Sequence, residues 1–106
     1  MLRKSVEEAP FNEKGFSLHH LFRDENERVF VISFKPNQVM PAHKHPGYHL
    51  YLLGYEGEGT FIINGVTHVC QKGDVFRLEP EDEIGIENDR DREFRVYCVM
   101  NKISEK

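Results

Sequence analysis

The chain has 106 residues, with 14 Lys and Arg against 18 Asp and Glu, a formal charge of −4. That length fits a single domain with an adequate core, and the acidic balance carries no electrostatic footprint for nucleic acid. No apolar run approaches the roughly 18–20 residues of a membrane span, and the first ten residues hold no apolar stretch long enough for a signal peptide, so a cytoplasmic protein is expected.

Short strand patterns separated by turn signals follow one another along the chain, as in an all-β sandwich or barrel. The first fourteen residues read as an arm or a short edge strand. Ser17–Phe22 is a strand closed by the polar turn 23–27, and Arg28–Lys35, rich in Val, Ile and Phe, is a clearer one. Pro36-Asn37 ends it. Then comes Pro41-Ala-His-Lys-His-Pro-Gly-Tyr-His49, which holds three of the six histidines. His43 and His45 are two apart, so an extended chain puts both on one face. Pro46-Gly47 turns the chain before the apolar strand Tyr48–Tyr55.

Glu56-Gly-Glu-Gly59 is a turn. Thr60–Ile63 and Val66–Val69 flank Asn64-Gly65, a strong hairpin signal because a type I′ turn needs positive φ at both central residues. Val75–Leu78, Ile84–Ile86 and Phe94–Met100 are the last strands, separated by the acidic corner 79–83 and the charged loop 88–93. Phe34, Phe61, Phe76 and Phe94 read as core, and residues 101–106 as a polar tail. Cys70 and Cys98 are too few for a disulfide framework and are expected as reduced thiols.

The segment Gln38-Val-Met-Pro-Ala-His-Lys-His-Pro-Gly-Tyr-His49, followed by an apolar strand and Glu-Gly-Glu-Gly-Thr-Phe61, resembles the first cupin motif. That motif is two histidines two apart, an acidic residue four or five positions on, and a glycine after the next strand. Gly73-Asp-Val-Phe-Arg-Leu-Glu-Pro80, ending at Asn88, looks like the second motif. The resemblance covers roughly residues 29–100. It implies an all-β, single-domain antiparallel β-barrel or jelly roll over 1–106, with a site inside one end. Cupins commonly pair through edge strands, so a homodimer is expected, with an exposed N-terminal strand serving.

The chain departs from the family pattern in three places. His49 stands four after the second histidine, where glutamate is usual. Ile84 replaces the histidine four before Asn88, and Glu81 replaces a glycine seven before it. One extra residue between His49 and Gly57 implies a β-bulge near Gly54. The usual three-His, one-Glu set thus becomes His43, His45 and His49, expected to hold a divalent transition metal (Zn, Fe, Ni, Cu or Mn). Loss of the carboxylate makes the site more positive and favours an anionic ligand.

Tyr51 shares parity with His49 and is a pocket candidate, as is Ile84 in the vacated ligand position. An acidic residue among Glu79, Glu81, Asp82 and Glu83 reaching the metal is an alternative. His19 and His20 face opposite sides of a strand and are expected to be structural. His68 reads as a cross-strand residue, and its pairing with Cys70 is a weak nucleophile signal. Three functions stay open: a metal-dependent enzyme of dioxygenase or isomerase type, a non-catalytic small-molecule-binding or sensor module with a degenerate metal site, and a scaffold.

Overall fold

The computed structural model describes residues 1–104. Nine strands follow an N-terminal arm: β1 (Ser17–Arg23), β2 (Glu27–Phe34), β3 (Val39–His43), β4 (Tyr48–Glu56), β5 (Gly59–Ile63), β6 (Val66–Cys70), β7 (Val75–Leu78), β8 (Ile84–Glu87) and β9 (Phe94–Lys102). A five-stranded sheet, β1-β2-β9-β4-β7, and a four-stranded sheet, β3-β8-β5-β6, are antiparallel throughout. The chain passes repeatedly from one sheet to the other, giving a jelly roll. The two sheets are not hydrogen-bonded to each other at their edges, so the expected barrel stays open at its seams.

Period-2 alternation fills the space between the sheets. Phe30, Ile32 and Phe34 of β2, Leu50 and Leu52 of β4, and Phe94, Val96, Cys98 and Met100 of β9 all point inward and are buried. Across the gap they meet Phe61, Ile84 and Ile86. Phe34, Phe94 and Phe61 sit in sequence with ring centroids 5.9 and 6.2 Å apart, and Phe76 closes on Phe61 at 4.9 Å. These spacings suit offset or edge-on aromatic pairs. Truncating one such buried ring to alanine typically costs about 3–5 kcal/mol.

Local signals land where the sequence puts them. Asn64 and Gly65 have φ of 52° and 78°, the hairpin turn that sets Ile63 against Val66. The register of β4 on β9 shifts between Gly54 and Glu56, the expected bulge. A second bulge lies in β3 between Met40 and His43. It surrounds Pro41, which is tolerated because β3 is an edge strand.

Of the two alternatives for the first fourteen residues, arm or short edge strand, the structure has the arm, with only a 3-10 turn at Val6–Glu8 before β1, which is itself an edge strand. The arm lies on the outer face of the larger sheet, covering a second cluster of Ala9, Leu21 and Val31. It is tied down by His19–Glu8 at 3.1 Å, Lys35–Glu13 at 3.0 Å, and the Arg95 guanidinium 4.2 Å from the Phe11 ring centre. At the other end, Asn101 and Lys102 belong to β9, pairing with His49 and Tyr48. The last two residues of the expected tail lie outside the described residues.

Gly57 has a φ of +73°, and an added Cβ would lie 2.1 Å from the Glu93 backbone oxygen, which cannot move aside. Gly47 has a φ of +86° but open space around it. In urea denaturation, Gly57→Ala should therefore lose about 3 kcal/mol. Gly47→Ala should lose only about 1 kcal/mol. Equal losses would contradict the close packing at Gly57.

Candidate functional site

The strands leave a cavity of about 200 Å³ at one end of the jelly roll. Phe30, Ile32, Leu50, Leu52, Ile84 and Cys98 form its apolar floor, all buried. Its polar wall is His20 of β1, Arg28 of β2, His43 of β3 and His45 from the following loop. His43 reaches the cavity because of the bulge in β3. Met40 opposes Ile86 and His43 opposes Ile84, so Pro41 and Ala42 stand against Gly85 alone and residues of opposite parity face the same way. His45 follows two residues on, its ring centroid 4.6 Å from that of His43.

The cavity does not include His49 or Tyr51, and here the sequence-based expectation is corrected. The Tyr48 N–H donates to the His45 carbonyl (3.1 Å), closing a turn with Gly47 at positive φ. That turn starts β4 with Tyr48 facing in, so Leu50 and Leu52 are 3% and 1% exposed. His49 and Tyr51 fall on the outer face. His49 Nε2 lies 2.9 Å from Glu79 Oε2. Glu79 also pairs with Arg77, whose Nε donates to the Tyr51 hydroxyl at 3.0 Å.

The family's acidic position is therefore Leu50, five after His45, rather than His49. Choosing Leu50 also removes the extra residue before Gly57. Ile84, expected at the vacated histidine position, does line the cavity. Two of the four positions that carry ligands in the family pattern are thus apolar. Among the described residues no three His, Cys, Asp or Glu side chains are grouped so as to hold a metal ion. The donor set does not fit the metal the resemblance implies. Nor does the acidic corner supply a substitute: Glu79 is engaged by His49 and Arg77, Asp82 accepts from Asn64 Nδ2 (2.9 Å) and the Glu79 N–H (2.8 Å), and neither lines the cavity.

His20 and Arg28 carry no site expectation from motif spacing. His20 faces inward and His19 outward, as adjacency requires, but His20 is a cavity residue. A sequence signal for Arg28 exists in hindsight: it shares inward parity with Phe30, Ile32 and Phe34. Asn88 is a brace, donating to the carbonyls of Phe34 (3.2 Å) and Arg92 (2.7 Å). Burial pushes the Cys70 thiol up to about 11, which removes it as a nucleophile at neutral pH. Burial raises Cys98 further still. Both cysteines are free.

A small, largely apolar cavity lined at one side by histidines and one arginine, at the end of an antiparallel double-sheet jelly roll, places the chain in the jelly-roll β class. A family model described as a cupin domain matches residues 30–100, and the chain belongs to the cupin family. Among curated proteins no sequence match is found. The fold is close to an uncharacterized conserved protein with a double-stranded β-helix domain from Klebsiella pneumoniae (TM-score 0.90, 20% identity, covering 96% of this chain and 90% of that one). It is also similar to a protein described as a predicted oxalate decarboxylase from Thermotoga maritima (TM-score 0.78, 24% identity, 83% and 81% covered). A third is the cupin domain of an XRE family transcriptional regulator from Enterobacter cloacae (TM-score 0.77, 16% identity, 85% and 99% covered). At these identities the likeness establishes the fold. No helix among the described residues is long and apolar enough to cross a membrane.

Burial, reinforced by His43, holds the His45 imidazole down to about 4. The unfolded chain takes up this proton at the ordinary histidine pKa, whereas the folded one resists it until about pH 4. Stability therefore falls as pH drops from about 6.5 to about 4 and the loss levels off below. With the side chain only partly buried, the loss is on the order of 2 kcal/mol. His45→Gln removes the titration, so its urea midpoint relative to the parent should rise steadily between pH 7 and pH 4.5. A pH-independent difference would contradict the burial of a neutral His45.

Proposed function

We propose that this cupin is a non-catalytic small-molecule-binding module. Its cavity takes a compact ligand and does not depend on a resident metal. The observation that carries this is the pair Leu50 and Ile84: both stand at ligand positions of the family pattern, both line the cavity, and neither can coordinate. The volume, about 200 Å³, is below the roughly 300–1,000 Å³ of pockets for drug-sized ligands. Convergent polar groups above an apolar floor are the usual make-up of a small-molecule site.

A metal-dependent enzyme, of dioxygenase or isomerase type, is the second reading. What favours it is His43, whose Nδ1 donates to the Pro41 carbonyl (3.0 Å) and leaves Nε2 free. That is how second-shell bonds orient metal-ligating histidines. When bound, a divalent ion would supply Lewis acidity.

One pair of experiments separates the two. Titration of straight-chain C4–C6 alcohols into isotopically labelled protein should shift amide signals around Leu50, Ile84 and Met100, in the parent and in His43→Ala alike. Shifts confined to the exterior, or none, would contradict a ligand cavity. Second, the double variant Leu50→Glu/Ile84→His rebuilds a four-ligand set and should take up about one equivalent of zinc on titration, while the parent takes up none. Stoichiometric zinc in the parent, lost in His43→Ala, would favour the enzyme reading.

A further inference from the structure

The polar wall of the cavity carries a permanent cation and no carboxylate. Arg28 and three histidines line it, and no Asp or Glu does, in a chain whose net charge is −4. None of the ion pairs among the described residues involves Arg28. Its guanidinium lies instead over the Tyr48 ring, 5.1 Å from the centre, which fixes its position without neutralising it.

Two atoms of this wall are buried with no hydrogen-bond partner: Arg28 Nε and His20 Nδ1. A buried donor left unmade costs roughly 1–3 kcal/mol, and more for a charged group, so such groups are normally paired. β1 and β2 are hydrogen-bonded neighbours, and His20 opposes Phe30, the next inward residue after Arg28, so the two orphans are adjacent on one sheet face. Burial, then Arg23, Arg28 and His19, hold the His20 imidazole below its ordinary range, so it is neutral at pH 7 and has one N–H to give. A guanidinium N–H beside the N–H of an Nδ1-protonated imidazole, the tautomer a carboxylate here selects, matches the two oxygens of a carboxylate. Behind them the floor is hydrocarbon and sulfur, which accepts only an apolar body.

Resting on the small-molecule reading above, we infer that the ligand is a short aliphatic carboxylate. Its carboxylate pairs with the Arg28 guanidinium and the His20 ring where they line the cavity, and its carbon chain lies against Leu52, Ile84 and Cys98. Its two polar partners come from the first hairpin of the chain, β1–β2, and not from either cupin motif.

The probes are 3-methylbutanoate and its uncharged amide, 3-methylbutanamide, titrated by amide chemical shift at fixed ionic strength. The parent should bind the carboxylate about 10-fold or more tightly than the amide. Arg28→Gln should bring that ratio close to one while amide binding is retained, which also reports that the cavity has folded. Arg28→Lys should recover part of the preference. His20→Phe, which keeps a ring against Phe30, should lower it several-fold. Equal binding of both probes by the parent, or a preference that survives both Arg28→Gln and His20→Phe, would overturn the carboxylate assignment and leave the cavity reading standing. Binding of neither probe would overturn both.

Discussion

The phase of β4 is the constraint on which the site depends. Side chains alternate strictly along a strand, so a one-residue change in where the strand begins exchanges its inner and outer faces. The hydrogen bond from the Tyr48 N–H to the His45 carbonyl, with Gly47 in the left-handed region, sets that starting point. From it follow Leu50 and Leu52 in the core, and His49 and Tyr51 outside. The aromatic core fixes the same phase independently, because the inward residues of β9 that oppose Leu50 and Leu52 are Met100 and Cys98, both buried. Any register that turned His49 inward would turn Leu50 and Leu52 out of the core.

Much of the fold is legible in the sequence because its signals are local. Asn64-Gly65 requires two positive φ angles and marks its hairpin unaided. The apolar alternation of Val96, Cys98 and Met100 marks a buried strand. The bulge at Gly54 is present, but the residue count that points to it starts from the wrong position, and counted from Leu50 the spacing holds no extra residue. His43, His45 and Ile84 as cavity residues are equally legible, because short-range parity and motif order place them. His49 is not, because the turn of residues 45–48 admits two phases and spacing alone does not choose. A histidine at the shorter of two permitted spacings looks like the ligand, when the inward residue, in the glutamate's place, is the leucine beside it.

The remaining part of the site is legible only after folding. His20 and Arg28 come to the cavity through the pairing of β1 with β2 and of β2 with β9, contacts that no motif encodes. An arginine in phase with Phe30, Ile32 and Phe34 is a local violation of an otherwise apolar face. Such violations tend to mark functional positions. The outer face has its own logic. His49, Glu79, Arg77 and Tyr51 form a half-exposed polar network across β4 and β7, a setting in which ion pairs contribute little individually. The histidine there is explained by a surface carboxylate, without a metal.

Cupin architecture is thus kept while the chemistry of its end cavity changes from four ligands to two imidazoles and two aliphatic side chains. The central claim is that this donor set no longer retains a transition metal. The most direct measurement is elemental analysis by mass spectrometry of untagged protein purified without chelator. The account predicts less than about a tenth of an equivalent of iron, zinc, nickel, copper or manganese, unchanged in His43→Ala. About one equivalent of any of these, lost in that variant, would contradict it.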